Sequence, residues 1–232
     1  LIFYIPYFLI IYFNIFLKEK VAKLFISSFN VITFATMFKF TKDYINSLQT
    51  IEDYNIFFKK IVEKEITEAP YSDEGFYAYT EANFKRINSL KTKIDLDKKL
   101  YNALQEISDW NFVLITEPWC GDASFAQPVV EAVAVAGALN LKIAIRDKNE
   151  ALINSFLTNG GKSIPILIAL DGNLNYKFHW GPRPKPLQEE VVEFLKTKPS
   201  VEEKIKMAHL WYLKDKGKTF QQELLDLIKQ HK

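Results

Sequence analysis

The chain has 232 residues, a length that suits one domain of ordinary size with extensions. Its hydrophobic fraction of 48% and charged fraction of 25% are those of a globular protein and exclude disorder over most of the length. The 30 basic and 28 acidic residues leave a net charge of +2, which argues against a nucleic-acid partner. The single cysteine, Cys120, excludes an intrachain disulfide and any cysteine-based metal site completed by one chain.

The first 17 residues, LIFYIPYFLIIYFNIFL, are apolar except at Pro6 and Asn14. This length lies at the lower limit for a helix that crosses a membrane. The lysines that follow would keep the C-terminal side in the cytoplasm. The segment is a poor secretory signal, because no basic residue precedes it and no small-residue cleavage site follows it.

Residues 1–36 have three alternative interpretations. The first methionine is Met37, which favours an over-extended gene start with the protein beginning at Met37. The alternatives are an N-terminal membrane anchor with the remaining chain in the cytoplasm, and a buried helix of a soluble protein. We therefore expect a cytoplasmic protein, which contacts a membrane only if residues 1–17 are genuine.

Residues 37–94 are predicted to form a helical extension. Apolar residues recur at helical spacing from Asp43 to about Ile66 and predict one helix. The stretch 68–75 reads as a loop from its turn residues, and a second helix is expected over 77–91.

Residues 95–198 alternate between helical and strand patterns. Asp95 is a candidate N-cap for a helix that runs to about Asp109. Short apolar runs then predict buried strands, which alternate with helical segments. The strands are expected over 111–116, 141–145 and 165–170, and the helices over 122–139 and 149–157.

Turn residues mark the ends of several of these elements. Asn159, Gly160 and Gly161 suit a helix C-cap. Asp171 and Gly172 predict a hairpin that leads into a returning strand over 174–180. A proline-rich connector then precedes a helix over 187–196.

The order β-α-β-α-β-β-α over 111–197 predicts an α/β domain. Its first two strands form a parallel βαβ unit, and its last two form an antiparallel hairpin. The result is a mixed sheet with helices on both sides.

Residues 199–232 are expected to add a C-terminal helical extension. Ser200 with Glu203 is a capping box that opens the first helix of this extension. Thr219 with Gln222 is the corresponding pattern for the second helix.

The motif that carries chemistry is Trp119-Cys120-Gly121-Asp122, which follows the first buried strand and opens a helix. A thiol at a helix N-terminus faces the positive end of the helix dipole, which favours the thiolate and lowers the pKa. The thiolate is the nucleophile in disulfide exchange. Asp122 suits the helix start, but its charge opposes a large drop in the Cys120 pKa.

These residues resemble the thioredoxin-like proteins over about 95–198. Pro128 stands where thioredoxins carry a helix-kinking proline, Pro165 where they carry a cis-proline, and Asp171-Gly172 where their antiparallel pair turns. The longer strings EPWCGDA, NGGKSIP and WGPRP resemble a bacterial subgroup of thioredoxin family proteins with one cysteine in the motif. The resemblance implies a thioredoxin-like mixed sheet flanked by helices, with helical N- and C-terminal extensions.

The resemblance also implies site roles. Cys120 would be the nucleophile, Trp119 and Gly121 would shape its loop, and Asp122 would start the helix. Ile164 and Pro165 would line a substrate groove beside the thiol. The implied partner is a disulfide-containing or thiolated protein or a small thiol, with no nucleic acid and no metal.

Two departures from the thioredoxin pattern matter. The second cysteine, three positions after the first, is replaced by Ala123. The buried acid six positions before the cysteine is replaced by Leu114. Both parts of the dithiol cycle are therefore missing from the expected positions.

Three interpretations of Cys120 stay open. The first is a monothiol thiol–disulfide oxidoreductase of redox homeostasis, which needs no cofactor beyond glutathione or another low-molecular-weight thiol as co-substrate. The second is a binding or redox-sensing module. The third is a thioredoxin scaffold without thiol chemistry.

Four charged or titratable residues outside the motif have simpler expected roles. Lys162 could attract an anionic thiol. His179 is expected to be a half-exposed strand residue, and His209 has no visible partner for a metal site. Arg183 is expected to point into solvent.

Overall fold

The computed structural model describes residues 38–232. The hydrophobic segment over 1–36 lies outside the described residues, and so do the interpretations of it. Within residues 38–232, no helix combines the length and apolar character that a membrane crossing needs.

The described chain alternates between helices and strands. In chain order the elements are α1 (Lys42–Ser47), β1 (Gln49–Thr50), α2 (Ile51–Val62), α3 (Glu74–Lys91), α4 (Lys98–Leu104), β2 (Asn111–Thr116), α5 (Gly121–Ala136), β3 (Asn140–Ile145), a 3-10 turn (Arg146–Lys148), α6 (Glu150–Ile153), β4 (Ile166–Leu170), β5 (Tyr176–Trp180), α7 (Lys185–Leu195), α8 (Val201–Asp215) and α9 (Lys218–His231).

The sheet of the described residues has five strands in the order β1-β3-β2-β4-β5. β2 and β3 run parallel, with Asn111 opposite Asn140, because α5 carries the chain back across the sheet between them. β4 runs antiparallel to both β2 and β5, and the two-residue β1 pairs antiparallel with β3. The mixed α/β sheet predicted from the sequence is confirmed.

Apolar side chains fill both faces of the sheet. Phe112 and Leu114 of β2 face one side, where they belong to a core shared with α5 and α9. Val113 and Ile115 face the other side, in a core that includes Leu152 of α6. Burial on both faces explains why β2 is a continuous apolar run.

The single helix expected from Asp43 to about Ile66 is wrong, because a strand interrupts it. α1 ends at Ser47, and β1 pairs Gln49 with Ile143 at the edge of the sheet. Thr50 then caps α2, since its side chain accepts from the Asp53 N–H while the Asp53 carboxylate accepts from Thr50. This capping box starts a new helix within an uninterrupted apolar pattern.

Asp95 is not the N-cap of the next helix. Asp97 takes that place, and its side chain accepts from the N–H groups of Lys99 and Leu100. The helix is also shorter than expected, because α4 ends at Leu104 and turns continue to the strand.

The three residues Asn159, Gly160 and Gly161 do not end a helix. α6 has already ended at Ile153. They form instead a tight turn, in which Thr158 and Gly161 exchange two backbone hydrogen bonds of 2.9 Å. Asn159 and Gly160 both adopt positive φ, which this turn requires.

The C-terminal extension confirms one of the two expected capping boxes. Ser200 and Glu203 cap α8 reciprocally. Thr219 does not cap α9, because its backbone N–H and hydroxyl both donate to Asp215 at the end of α8. Gly217 is the N-cap residue, with φ of 76°.

Candidate functional site

Cys120 lies where β2 has ended and α5 begins, as its N-cap residue. The thiol donates a hydrogen bond of 3.4 Å to the carbonyl oxygen of Ile164. The peptide bond between Ile164 and Pro165 is cis. The two segments that the sequence singled out, 119–122 and 164–165, therefore meet at one point.

An open pocket of about 430 Å³ lies above the thiol. Five of the six expected site residues line it, and Pro165 does not. The other lining residues are polar, and three are basic. The pocket is lined by Trp119, Cys120, Gly121, Asp122, Arg146, Lys162, Ser163, Ile164 and Arg183.

Cys120 is buried, with only 7% of its surface exposed. Burial raises the pKa of the Cys120 thiol to about 12, and the nearby Asp122 carboxylate adds to this increase. The N–H groups of Ala123 and Asp122 and the Arg183 charge act in the opposite direction. The expected lowering of the pKa by the helix N-terminus is therefore wrong for this structure, because desolvation outweighs it.

Asp122 is held by two side chains from later in the sequence. Its carboxylate lies 2.6 Å from Nη2 of Arg183. It also accepts a hydrogen bond of 3.0 Å from the Tyr212 hydroxyl. The expectation that Arg183 points into solvent is wrong: its side chain is only 22% exposed, since it pairs with Asp122 and donates to Gln188.

His209 approaches the same turn from α8. Its ring packs edge-on against Phe125 at 5.3 Å. The His209 ring also lies close to Gly121, because a Cβ atom placed on that glycine would stand 3.5 Å from Nε2 of His209. Burial and the neighbouring Arg86 lower the pKa of His209. The sequence predicted only that His209 lies on a terminal helix, and its distance along the chain from Cys120 gives no indication that the two are close in space.

Two polar side chains of α3 support the motif loop. The Asn83 amide donates to the carbonyl of Pro118 at 3.0 Å. One guanidinium nitrogen of Arg86 donates to the Asn83 carbonyl oxygen at 2.7 Å and to the Ser124 hydroxyl at 2.8 Å. α3 therefore fixes the loop on both sides of Cys120, a role that the sequence alone did not suggest.

Trp119 lies between a cation and an aromatic ring. The Arg146 guanidinium stands 4.7 Å above its ring. Phe76 of α3 meets it edge-on at 5.5 Å. The remaining cation, Lys162, forms a pair with Glu150 at 2.6 Å on the exposed surface.

Glu117 is a buried carboxyl group at the other side of the loop. It is 3% exposed, and its Oε1 accepts a hydrogen bond of 2.9 Å from the backbone of Asp147. Burial raises the pKa of Glu117 to about 7. The sequence placed Glu117 only in a turn, whereas Leu114, at the expected acid position, is fully buried in the apolar core.

The pocket brings one thiol together with basic side chains that can bind an anion, and Ile164 lies beside the thiol at the edge of the groove.

His179 lies on β5, away from this pocket, and its Nδ1 shares a hydrogen bond with the Tyr176 hydroxyl. Within residues 38–232, no group of three or more His, Cys, Asp and Glu side chains could hold a metal ion.

A family model described as Thioredoxin matches residues 70–203, which is more than half of the chain. No curated protein matches the sequence. Among solved structures, an HIV epitope scaffold is 15% identical with a TM-score of 0.49, covering 78% of this chain and 98% of its own. A protein of unknown function from Pseudomonas aeruginosa is 13% identical with a TM-score of 0.46, with the same coverage.

Proposed function

We propose, from the premise that this chain belongs to the thioredoxin family, that Cys120 performs thiol–disulfide exchange with a resolving thiol supplied from outside the chain. The observation that carries the proposal is the position of the thiol. Cys120 is the N-cap residue of α5, faces the Ile164 carbonyl and lies at the floor of an open pocket.

The exchange has two balanced steps. The Cys120 thiol loses its proton to solvent, and the thiolate attacks one sulfur of a mixed disulfide. A new Cys120 disulfide forms, and the other sulfur leaves as a thiolate. An external thiolate then attacks the Cys120 disulfide, which restores the Cys120 thiolate and leaves the external thiol oxidised in a new disulfide.

The absence of a second cysteine makes the external thiol necessary. Cys120 is the only cysteine of the 232 residues, and Ala123 occupies the place of the resolving thiol. Ala123 is 2% exposed and packs in the same apolar cluster as Cys120. A mixed disulfide at Cys120 can therefore be reduced only by a thiol that enters through the pocket.

The charge of the pocket favours an anionic co-substrate. Arg146 and Lys162 line it together with the Arg183–Asp122 pair. Arg146 pairs with Asp147 and Lys162 with Glu150 at the surface, where such pairs are weak, so a carboxylate of the co-substrate can take the place of either acid. Glutathione carries two carboxylates and one ammonium group, so its net charge is complementary to this lining. A thiolated protein or another low-molecular-weight thiol acid would use the same groups.

A second candidate, a binding or redox-sensing module without turnover, is favoured by the burial of the thiol. At 7% exposure and with a pKa raised to about 12, Cys120 is protonated at neutral pH. Its hydrogen bond to Ile164 also needs the proton. A thiol in this state reacts slowly and forms an adduct only with a strong oxidant or a bound disulfide.

Turnover separates the two candidates. The full chain and Cys120→Ser are supplied with a glutathionylated peptide and excess glutathione, and release of the free peptide thiol is followed. Repeated turnover that Cys120→Ser lacks supports the oxidoreductase. One stoichiometric adduct without turnover supports the redox-sensing module, and no adduct at all refutes thiol chemistry at Cys120.

A dithiol variant sharpens this result. Ala123→Cys places a thiol three residues after Cys120, where it can attack a mixed disulfide from within the chain. We expect this variant to release its adduct without added glutathione, whereas the natural chain keeps its adduct until glutathione is added. Equal release from both proteins would contradict the need for an external thiol.

A further inference from the structure

A second cavity lies farther along α5 than the Cys120 pocket, beside Phe125, Ala126 and Val129. Its volume is about 410 Å³, and it shares no lining residue with the pocket above the thiol. It is formed where the end of α3, the middle of α5 and the α8–α9 junction come together. The lining residues are Leu90, Lys93, Ile94, Phe125, Ala126, Val129, Trp180, Pro184, Tyr212, Leu213, Asp215, Lys216, Gly217 and Phe220.

Aromatic pairs form two walls of this cavity. Phe125 stacks on Tyr212 with ring centres 4.4 Å apart. Trp180 stacks on Phe220 at 3.8 Å. Aliphatic side chains add to the lining, so most of the wall is apolar.

The polar atoms of these aromatic walls are already bonded to residues outside the cavity lining. The Tyr212 hydroxyl donates to Asp122. The Trp180 indole N–H donates to Glu223 at 2.6 Å. A ligand body in the cavity would therefore meet ring faces and hydrocarbon rather than hydrogen-bonding groups.

Charge is concentrated among the exposed lining residues. Lys93 and Lys216 are both exposed. Within residues 38–232 neither lysine forms an ion pair, and Lys93 only donates to the Ser89 hydroxyl. The acidic residue Asp215 also lines the cavity, where it accepts from the backbone N–H and the hydroxyl of Thr219, so the three charged lining residues carry a formal net charge of +1.

We propose that this cavity binds an amphipathic monocarboxylate of medium chain length. The hydrocarbon packs between the two aromatic pairs, and the carboxylate meets Lys93 and Lys216. The volume lies near the lower end of small-molecule sites, roughly 300–1,000 Å³, so a medium chain fits better than a long-chain lipid. Two unpaired cations beside an apolar cavity favour an anion over a neutral or cationic amphiphile.

Calorimetric titration of the full chain tests the proposal with three ligands of equal chain length: decanoate, decanol and decyltrimethylammonium. We expect decanoate to bind at one site and decanol to bind about tenfold more weakly, since it lacks the charged contact. Decyltrimethylammonium should bind most weakly. Absence of decanoate binding, or equal affinity for all three ligands, would overturn the proposal.

Charge variants assign the binding to this cavity. Lys93→Gln with Lys216→Asn should weaken decanoate binding about tenfold and leave decanol binding unchanged. Asparagine is chosen because Lys216 has φ of 57°, a conformation that asparagine tolerates. The matched control is Lys99→Gln with Lys198→Asn: Lys198 also has positive φ, and neither residue lines the cavity. An equal loss in the control would overturn the assignment.

Two variants of the apolar wall complete the test. Ala126→Leu fills the cavity and should abolish the binding of decanoate and decanol alike. Leu213→Glu places a negative charge in the lining at a residue that is 59% exposed, so it demands no change in the core. It should weaken decanoate binding more than decanol binding, and unchanged decanoate affinity in a folded Leu213→Glu variant would refute the site.

Discussion

The two acidic side chains that flank Cys120 lie in contrasting surroundings. Glu117, three residues before the thiol, is 3% exposed and is held by one backbone N–H of Asp147. Asp122, two residues after it, is held by the Arg183 guanidinium and the Tyr212 hydroxyl.

The two carboxyl groups differ in that only Asp122 has a cationic partner in contact. Glu117 forms no ion pair within the described residues, and burial raises its pKa to about 7. Asp122 has a cation in contact. Its carboxylate is therefore one cause of the raised pKa of Cys120. The paired carboxylate thus lies on the side of the loop where its charge opposes ionisation of the thiol.

The largest expected effect concerns Glu117 and pH. Its carboxyl has a pKa of about 7 in the native chain and 4.5 as the reference value. Between these values the unfolded chain has lost the proton and the native chain keeps it. The contribution of Glu117 to the free energy of unfolding therefore falls as pH rises, by about 3 kcal/mol over the whole interval. Glu117→Gln should abolish this decline, as measured by urea unfolding at about pH 5 and pH 8.

The control for this prediction is Glu190→Gln, since Glu190 is exposed on α7. That variant should keep the decline of the natural chain. A Glu117→Gln protein with the same decline as the natural chain would show that the native carboxyl titrates normally.

The second effect is the cost of removing the cation from Asp122. Arg183→Leu leaves a carboxylate that is 14% exposed without its partner. We expect a loss of about 2 kcal/mol in the free energy of unfolding, less than for a fully buried pair because water still reaches both side chains. Urea unfolding of Arg183→Leu, Asp122→Asn and the double variant measures the coupling. Additive losses in the double variant would mean that the pair contributes nothing.

The third effect is on the reactivity of Cys120. Asp122→Asn removes a negative charge that raises the pKa of the thiol. The rate of alkylation by iodoacetamide at mildly alkaline pH should rise about tenfold, because more of the thiol is ionised. Asp147→Asn, an exposed residue on the Glu117 side, is the matched control and should leave the rate unchanged. An equal increase of the alkylation rate in both variants would show that Asp122 has no special effect on the Cys120 thiol.

The smallest effect is on the hydrogen bond from α8. Tyr212→Phe keeps the ring stacked on Phe125 and removes only the hydroxyl that donates to Asp122. Loss of this bond should lower the free energy of unfolding by about 1 kcal/mol. Tyr79→Phe, at a residue that is 45% exposed, should cause no measurable change. Thermal or urea unfolding of both variants checks the difference.

The sheet could be predicted because its signals are local. β2 is a continuous apolar run whose bounds, Asn111–Thr116, coincide with the predicted strand. β1 could not be predicted, because a two-residue strand has no periodicity and exists only through its pairing with β3. The end of α4 and the true cap of α9 were also missed, since turns and the Asp215 side chain compete there with the regular pattern.

The candidate site divides in the same way. The meeting of Cys120 with Ile164 follows from a motif and a proline that resemble a known family. The positions of Arg183, Tyr212 and His209 depend on how later segments fold back onto α5. The raised pKa of Cys120 depends on the burial of its thiol, which no residue pattern reveals.

The contact between α8 and the motif helix has a consequence for the boundaries of the functional unit. The family match ends at residue 203, three residues into α8 (Val201–Asp215). His209 and Tyr212 lie beyond that end, yet they contact the first turns of α5. A fragment cut at the family boundary would keep the cysteine and its motif but lose the residues that enclose them. The recognisable domain is thus smaller than the piece of chain that sets the chemistry of its thiol.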